Sequence, residues 1–492
     1  MEQHAILFAK YSGKWKAPFF GAIVSGILCG SLTLFETLPW FLSLFLPFLL
    51  LPYLAGTKEI NSMLWGCFYG LLFGVSAYAS GAYWLILALR SYRQLSWFSA
   101  LVFSFFMFLV FAFPFALFGG ALGLGKKNSR FWLASSGWLA IEFFLAEFLP
   151  WTPACCFMLS PAQSQWAGIV GRYGLMIWLI GFNLWIVNGH KSWIFAYVIF
   201  LLGGEAMKES WTQKLHREKQ RQPSTSIGMV QAGITRSERK TSEGIRQGRE
   251  RLHQLTNSLP LNNATLVLWP EGSIDESDPS AQCLYKGAIL FGVYARRFSE
   301  DRSDEWVENQ MLLKGAGSTS QYYLKRRLTP IGEKSLSRLP GLRNLAPSPP
   351  YYAGEKPNLI SWNDLNVGGL ICYEDLFVDL AVESTYAGAT VLIALTNDVW
   401  FDAPAVALHT RLARLRAIEN RRFFLRCNNT GPSEIIAPDG SVQTLLSYGA
   451  VGVASGELFA RTEYSWFTMY FSALPWLGLL FPMVLFFQKK PH

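Results

Sequence analysis

Gly368-Gly369-Leu370-Ile371-Cys372-Tyr373-Glu374-Asp375 is the stretch on which the reading of this chain turns. A short apolar run of the kind expected of a buried strand ends on a cysteine, followed at once by two acids. Two earlier segments share that build, a β-like apolar run ending in a charged residue. Leu266-Val267-Leu268-Trp269-Pro270-Glu271 ends on a carboxylate. Tyr322-Tyr323-Leu324-Lys325 ends on an ammonium and continues as Arg326-Arg327-Leu328-Thr329-Pro330-Ile331-Gly332-Glu333. Glu, Lys and Cys, each at a strand end, suggest a carboxylate base, a cation and a thiol nucleophile meeting at one rim. A thiol attacks as thiolate, and free Cys has a pKa near about 8.5, so it needs a base or cation beside it. Glu271 suits the first role. Lys325 suits the second and, with a backbone N–H after Cys372, would stabilise an oxyanion.

Outside these segments the composition is that of a membrane protein. The 492 residues are too many for one ordinary core, so two or more domains are expected. The chain is 51% hydrophobic and 16% charged, against roughly 25% charged in soluble domains. Nineteen Trp and 38 Phe push the same way. The net charge of +9 comes from scattered Lys and Arg, which fits topology-setting charge better than a nucleic-acid surface. The seven cysteines are Cys29, Cys67, Cys155, Cys156, Cys283, Cys372 and Cys427. Four lie in apolar segments and three are widely spaced, so neither a disulfide framework nor a CxxC metal pattern is expected. The first apolar segment is followed by many more, unlike a lone cleavable signal peptide.

A helix needs about 20 apolar residues to cross a bilayer. Seven such stretches are read near 18–35, 38–56, 62–89, 96–122, 131–150, 168–188 and 192–205, and an eighth from Trp466 to Phe487. Gly66, Gly70, Gly74 and Gly81 would allow close helix contact. With the N-terminus inside, Lys10, Lys14, Lys16, Lys58, Lys126, Lys127, Arg130 and Lys191 all fall on inner segments, as the positive-inside rule asks. Seven crossings place residues 206–465 outside, and Lys489-Lys490 return inside. The domains expected are therefore 1–205, seven membrane helices; 206–465, a polar catalytic domain; and 466–492, a last helix with a short inner tail.

The polar domain opens on a charged connector, Glu209 to Gln222, and then alternates strands and helices. Strands are read at Thr225–Gly233, Thr265–Trp269, Ala288–Tyr294, Val367–Cys372, Val391–Thr396, Phe423–Arg426, Glu434–Ile436 and Ser441–Leu445. A hairpin joins Gln310–Lys314 to Ser320–Leu324. Helices are read at Ser242–Ser258, Leu376–Tyr386 and Pro404–Arg422, the last with a basic face that packing and solvation together would explain. This alternation suits one α/β domain.

Taken together, Trp269-Pro270-Glu271, Lys325-Arg326 through Pro330 and Gly332-Glu333, and Ile371-Cys372-Tyr373-Glu374 resemble the nitrilase superfamily, whose Glu-Lys-Cys triad sits on an αββα sandwich. Val230-Gln231, Thr396-Asn397-Asp398-Val399-Trp400-Phe401, Arg414 to Asn420 and Asn429-Thr430-Gly431 extend the likeness. With apolar spans on both sides, the chain resembles the membrane-bound branch of that superfamily, the apolipoprotein N-acyltransferases. The resemblance implies a membrane bundle of about eight spans plus a nitrilase-like sandwich. It implies Glu271 as base, Lys325 as oxyanion-stabilising cation and Cys372 as the acylated nucleophile, with Glu333 and Glu374 flanking them and Tyr373 and Trp400 lining the site. Glu333 as a turn acid and Trp400 as simple packing remain open beside those roles.

The activity implied is transfer of a fatty acyl chain from a glycerophospholipid, through a Cys thioester, to the N-terminal diacylglyceryl-cysteine amine of a lipoprotein. The partners implied are a phospholipid donor, a diacylated lipoprotein acceptor and membrane lipids, with no cofactor, metal or nucleic acid and a monomeric state. The location implied is a bacterial inner membrane, with the catalytic domain periplasmic. Several positions depart from the family pattern. Asp402 stands where relatives commonly have Gly, Ile331 where Phe is usual, and Pro432 follows Asn429-Thr430-Gly431. Thr235–Glu243 is polar where a Trp is frequent.

Other chemistries find less support. A Cys372–His409 dyad is weakened by Arg411 and Arg414 beside His409. HExxH, GxxxxGK[ST] and a strand–helix GxGxxG are all missing from the sequence. A membrane-anchored amidase that passes the acyl group to water is one alternative. A non-catalytic lipid-binding or transport protein is another.

Overall fold

The computed structural model describes residues 16–35, 38–58, 60, 62–93, 95–124, 130–144, 151–259, 265–276, 287–315, 320–330, 332–334, 348–474 and 476. The chain divides into two compact units, Met1–Met207 with Met469–His492, and Lys208–Thr468.

In the first unit, four helices among the described residues are long and apolar enough to cross a membrane. They are Lys16–Leu34, Met63–Gly81, Trp97–Leu124 and Gln163–Val187, and Phe41–Gly56 is a shorter apolar segment. The count of eight expected from sequence is not confirmed among the described residues. The stretch 62–89 breaks at Ala82 (φ −121, ψ 23), and a separate helix, Trp84–Arg93, follows. The stretch read as 192–205 belongs to one helix, Trp193–Lys219, that runs on through most of the charged connector. That connector is made of strong helix formers, and Lys214 and Glu218 pair one turn apart at 3.9 Å. Finally, residues 145–150 and most of 466–487 lie outside the described residues. The expected close helix contact is present: a Cβ on Gly70 would stand 2.0 Å from the Phe115 carbonyl oxygen of the neighbouring helix. Only a bare backbone fits that approach.

Among its described residues the second unit has thirteen strands and three principal helices. In chain order these are β1 (Thr225–Gln231), α1 (Ser242–Ser258), β2 (Leu266–Asp275), β3 (Ala288–Phe298), β4 (Glu305–Gly315), β5 (Gln321–Leu324), β6 (Tyr351–Tyr352), β7 (Leu359–Trp362) and β8 (Leu365–Ile371). There follow α2 (Val378–Tyr386), β9 (Val391–Thr396), α3 (Ala403–Asn420), β10 (Phe423–Asn428), β11 (Ser433–Ile436), β12 (Val442–Leu446) and β13 (Gly452–Leu458). One sheet has the order β13-β1-β2-β3-β4-β5, with β6 beside β4, and the other β12-β11-β10-β9-β8-β7. Strands β1, β2 and β3 run parallel, as do β8, β9 and β10.

The inner faces of the two sheets share one core, in which Met229, Leu268 and Leu290 of the first meet Val367, Ile393 and Leu425 of the second. Burying each such side chain contributes about 1.5–3 kcal/mol before the entropy of ordering it. Helix α1 covers the outer face of the first sheet, with Leu252 against Val230, Val267 and Trp269. Helices α2 and α3 cover the second. The layers therefore run α-β-β-α. Helix α3 corrects part of one expectation: its basic face is packed rather than solvated. Arg411 and Arg416 are buried, and Arg414 pairs with the buried Glu434. The solvated part of that reading followed from counting charges without their partners on β11.

Candidate active site

Three chain segments bring the predicted residues together, and each does so through a local irregularity. Strand β2 does not stop at Glu271 as the sequence suggests. It continues to Asp275, and its register against β3 slips between Trp269 and Ile274. Gly272 takes φ +60 inside that slip, and such a bulge re-aims the side chains beside it. Lys325 follows the last residue of β5, with its backbone N–H held by the Asn309 carbonyl of β4 at 2.9 Å. Cys372 ends β8 and opens a short 3₁₀ turn, Cys372–Leu376, with φ +51. A non-glycine residue in that region stores strain, of order 1–3 kcal/mol, and presents its side chain at a sharp strand-to-helix corner.

The acids are then set around the ammonium. Lys325 Nζ donates to Glu333 Oε2 at 2.7 Å and lies 3.6 Å from Glu271 Oε1. Asn309 Nδ2 stands between the two carboxylates, 2.8 Å from Glu271 Oε1 and 2.8 Å from Glu333 Oε1. The Thr329 N–H adds a bond to Glu333 Oε2 at 2.8 Å. The Cys372 thiol lies near enough to the Glu271 carboxylate for each to shift the titration of the other, and the Asn397 backbone acts on the sulfur in the opposite sense. All four principal side chains are buried or nearly so.

Electrostatics separates the two carboxyls. Burial pushes Glu271 up from its ordinary value; Lys325 pulls it back and Glu333 pushes it up again. Burial acts on Glu333 in the same sense, but its closer contact with Lys325 outweighs it and holds this carboxyl below its ordinary value. Burial opposes the charge on Lys325, yet Glu333 and Glu271 together raise its pKa and keep it cationic. Burial, then the Glu271 charge, pushes the Cys372 thiol well up against the pull of Lys325. The shifts of Glu271 and Cys372 both favour the neutral form, so the Cys372 proton is held on the sulfur until Lys325 and a substrate compensate the thiolate.

Glu374 has a different task. Its Oε2 accepts from Tyr323 Oη at 2.9 Å and the Ile371 N–H at 2.7 Å, and its Oε1 from the Arg326 and Arg327 N–H groups at 2.7 and 2.9 Å. It ties the start of the Cys372 turn to the chain just after Lys325. Tyr373 packs its ring edge-on against Phe377, with centroids 4.8 Å apart. Trp400 lies under the guanidinium of Arg236, 5.4 Å from its ring centre.

His409 is not a base for Cys372. Its Nδ1 lies 3.0 Å from Asp398 Oδ1, and its Nε2 faces the Asp375 carboxylate and, at 3.3 Å, the Cys372 carbonyl oxygen. Burial opposes its charge, but Asp375 and Asp398 prevail and its pKa is pushed up to about 9. An imidazolium donating from both nitrogens has no lone pair for a thiol proton. Arg426 completes this cluster, with Nη2 2.6 Å from Asp398 and Nε 3.3 Å from Asp375. Sequence reasoning singled out neither Asn309 nor this cluster under the cysteine turn. The available signal was Asp375 directly after Glu374, a second acid with no surface to occupy.

With this geometry in view, comparison with known proteins is informative. Residues 280–466 match the carbon-nitrogen hydrolase family, a range that holds Lys325, Glu333, Cys372 and Glu374 and begins just after Glu271. The apolipoprotein N-acyltransferase of Pseudomonas aeruginosa is 26% identical over 442 residues, covering 81% of this chain and 82% of its own. Over about four fifths of its length this chain is therefore similar to proteins named apolipoprotein N-acyltransferase, and part of it matches the carbon-nitrogen hydrolase family. The Aquifex aeolicus apolipoprotein N-acyltransferase is 36% identical over a shorter stretch of 149 residues, 30% of this chain and 33% of its own. A solved Saccharomyces cerevisiae member of the nitrilase superfamily aligns with 51% of this chain and 94% of its own, at 18% identity and a TM-score of 0.36.

Proposed function

We propose that this chain is a membrane-embedded acyltransferase that moves a fatty acyl group from a glycerophospholipid to the N-terminal amine of a diacylglyceryl-cysteine lipoprotein, through a thioester on Cys372. The observation that carries this reading is the buried Glu271–Lys325–Cys372 set, in a chain whose relatives over 80% of its length bear that activity in their name.

In the first half-reaction Glu271 takes the Cys372 proton and the thiolate attacks the ester carbonyl carbon. The developing oxyanion is met by Lys325 and by the Tyr373 N–H, in a first helical turn where N–H groups point out of the helix end. The tetrahedral species collapses with cleavage of the ester C–O bond. The leaving alkoxide takes the proton from Glu271, and a lysophospholipid departs. In the second half the lipoprotein amine attacks the thioester, Glu271 accepts the N–H proton and returns it to the departing Cys372 sulfur, and the amide is formed. Glu333 is the fixed counter-ion of Lys325, which leaves Glu271, with its raised pKa, as the carboxyl that moves protons.

In this reading eight spans anchor residues 206–465 on the periplasmic side of the inner membrane, so that both lipid substrates are held near the site at high local concentration. Apolar surroundings would slow loss of the thioester to water. The test is intact and peptide mass spectrometry of the purified chain incubated with phospholipid alone. A stable acyl adduct on Cys372 is expected, absent in Cys372→Ala and Glu271→Ala and retained in Cys427→Ala, whose thiol lies in the core. Steady fatty-acid release without an acceptor would favour hydrolysis instead.

A further inference from the structure

The turn after β1 carries three cations and one acid, Arg236, Arg239 and Lys240 with Glu238. The acid is already engaged. Its Oε1 is 2.7 Å from Arg251 Nη2, and its Oε2 takes the Thr235 N–H at 2.6 Å and the Thr235 hydroxyl at 2.7 Å. Arg239 has no carboxylate of its own. Its Nη1 donates to the carbonyl of Gly272, the residue after Glu271, at 2.9 Å. Its Nε and Nη2 are buried and have no acceptor among the described residues. These two atoms form one edge of the guanidinium, the edge whose parallel N–H bonds match a phosphate or carboxylate in a fork. A buried donor edge left without an acceptor is costly, and here it lies beside the candidate catalytic carboxyl.

The neighbours define what would fit. Tyr294 interacts electrostatically with Arg239, Glu271 and Glu333 alike, so all four groups share one locality. Arg236, three residues before Arg239, donates to the Val399 carbonyl at 2.7 Å and lies over Trp400. Asn397 in that same 397–400 segment is near enough to the Cys372 sulfur to act on its titration. The turn thus reaches from the Glu271 side of the site to the Cys372 side, with a cation at each end. An anionic donor brought up to Glu271 and Glu333 would be repelled unless a cation met its charge.

We infer that Arg239, assisted by Arg236, is the phosphate-binding residue for the acyl donor, gripping the phosphodiester of a glycerophospholipid through Nε and Nη2 while the ester a few bonds away reaches Cys372. This rests on the acyl-transfer reading above. The polar character of Thr235–Glu243 then reflects an anion-binding turn, and donor choice is set there by phosphate rather than by acyl chain.

The experiment compares two donors with the same acyl chains in the same detergent micelles, dipalmitoylphosphatidylethanolamine and dipalmitoylglycerol, which keeps both esters and lacks the phosphate. The readout is the rate of Cys372 acylation in the intact chain, without acceptor. Wild type is expected to favour the phospholipid. Arg239→Gln is expected to lower the phospholipid-to-diacylglycerol rate ratio by about tenfold or more, and Arg239→Lys, a charge without a fork, to lower it less. Arg236→Gln supplies a second reading of the ratio should Arg239→Gln fail to fold, with a smaller drop expected. An unchanged ratio in Arg239→Gln, with both rates falling together, overturns the assignment and makes Arg239 a packing residue. Equal wild-type rates on the two donors overturn it as well, while acyl transfer stands. A normal ratio with slowed transfer to the amine would place the oxyanion on the acceptor and also overturn it. Failure of wild type to acylate Cys372 from either donor refutes the acyl-transfer reading itself.

Discussion

Replacing Glu333 by Gln tests the electrostatic arrangement of the site most directly. The shape is kept and one negative charge is removed. In the wild type, Glu271 and Glu333 each place an oxygen 2.8 Å from Asn309 Nδ2, so the two oxygens are no further apart than twice that distance. Two like charges about 6 Å apart repel by ~3 kcal/mol at an effective dielectric of about 20, which corresponds to ~2 pH units in the pKa of either group. Both side chains are almost wholly buried, so little of this is screened by solvent. The Glu333 charge raises the Glu271 pKa; removing it lowers that pKa. Lys325, freed from its closest partner, would turn further toward Glu271 and add to the fall. The acid limb of the rate of Cys372 acylation should therefore move to lower pH by about 1–2 units. The plateau should drop by about tenfold, because a weaker base takes the thiol proton less readily. The assay is single-turnover acylation by phospholipid from acid to neutral pH, followed by intact mass, with thermal melts at each pH to confirm folding. An acid limb that stays in place or moves upward would refute the coupling between the two carboxyls and Glu271 as the titrating base.

Two other perturbations follow from the same structure. Glu374→Gln leaves at most one of its two oxygens as an acceptor for four donors; stability should fall by about 2–6 kcal/mol, at about 1–3 kcal/mol per orphaned buried donor, with acylation slowed because the Cys372 turn loses its tie to the Lys325 segment, as read by thermal melting in detergent beside the acylation rate. His409 has a folded pKa raised to about 9 from an ordinary 6.5, so its stabilisation is full below pH 6.5 and is lost as pH rises through 9; wild-type melting temperature should fall across that window more steeply than that of His409→Gln, and equal slopes would count against a charged His409 in the fold.

Strands whose burial is complete are the most legible in sequence. Val391–Thr396 is buried at every position, and a parallel strand covered on both faces shows itself as an unbroken apolar run. Helix α1 was equally legible, because its Thr241 cap and its alternation of Leu and charge are local. What stayed hidden depends on partners distant in the chain. Strand β13 has a mixed exposure pattern and exists because β1 offers it a free edge, with Thr225 opposite Leu458. The bulge at Glu271 is a register slip between two strands, which one strand's residues do not specify. The Glu-Lys-Cys set could be found because each member ends an apolar run. Asn309 could not, since it lies inside a strand and gains meaning only from two carboxylates that arrive from elsewhere.

The buried charges also suggest why a carboxylate rather than an imidazole serves as the base in the proposed reaction. Beneath the Cys372 turn, Asp375 and Asp398 are matched by His409 and Arg426, a set that sums to zero when His409 is protonated. Around the thiol, Glu271 and Glu333 flank Lys325, with the Arg239 guanidinium also close enough to Glu271 to feel its negative charge. Moving the Cys372 proton to Glu271 transfers that negative charge from oxygen to sulfur and creates no new charge in a place where charge is expensive. A neutral histidine in the same position would have to generate an imidazolium and a thiolate together. The carboxylate base keeps the number of charged groups fixed through each proton transfer, in a place where every added charge is costly.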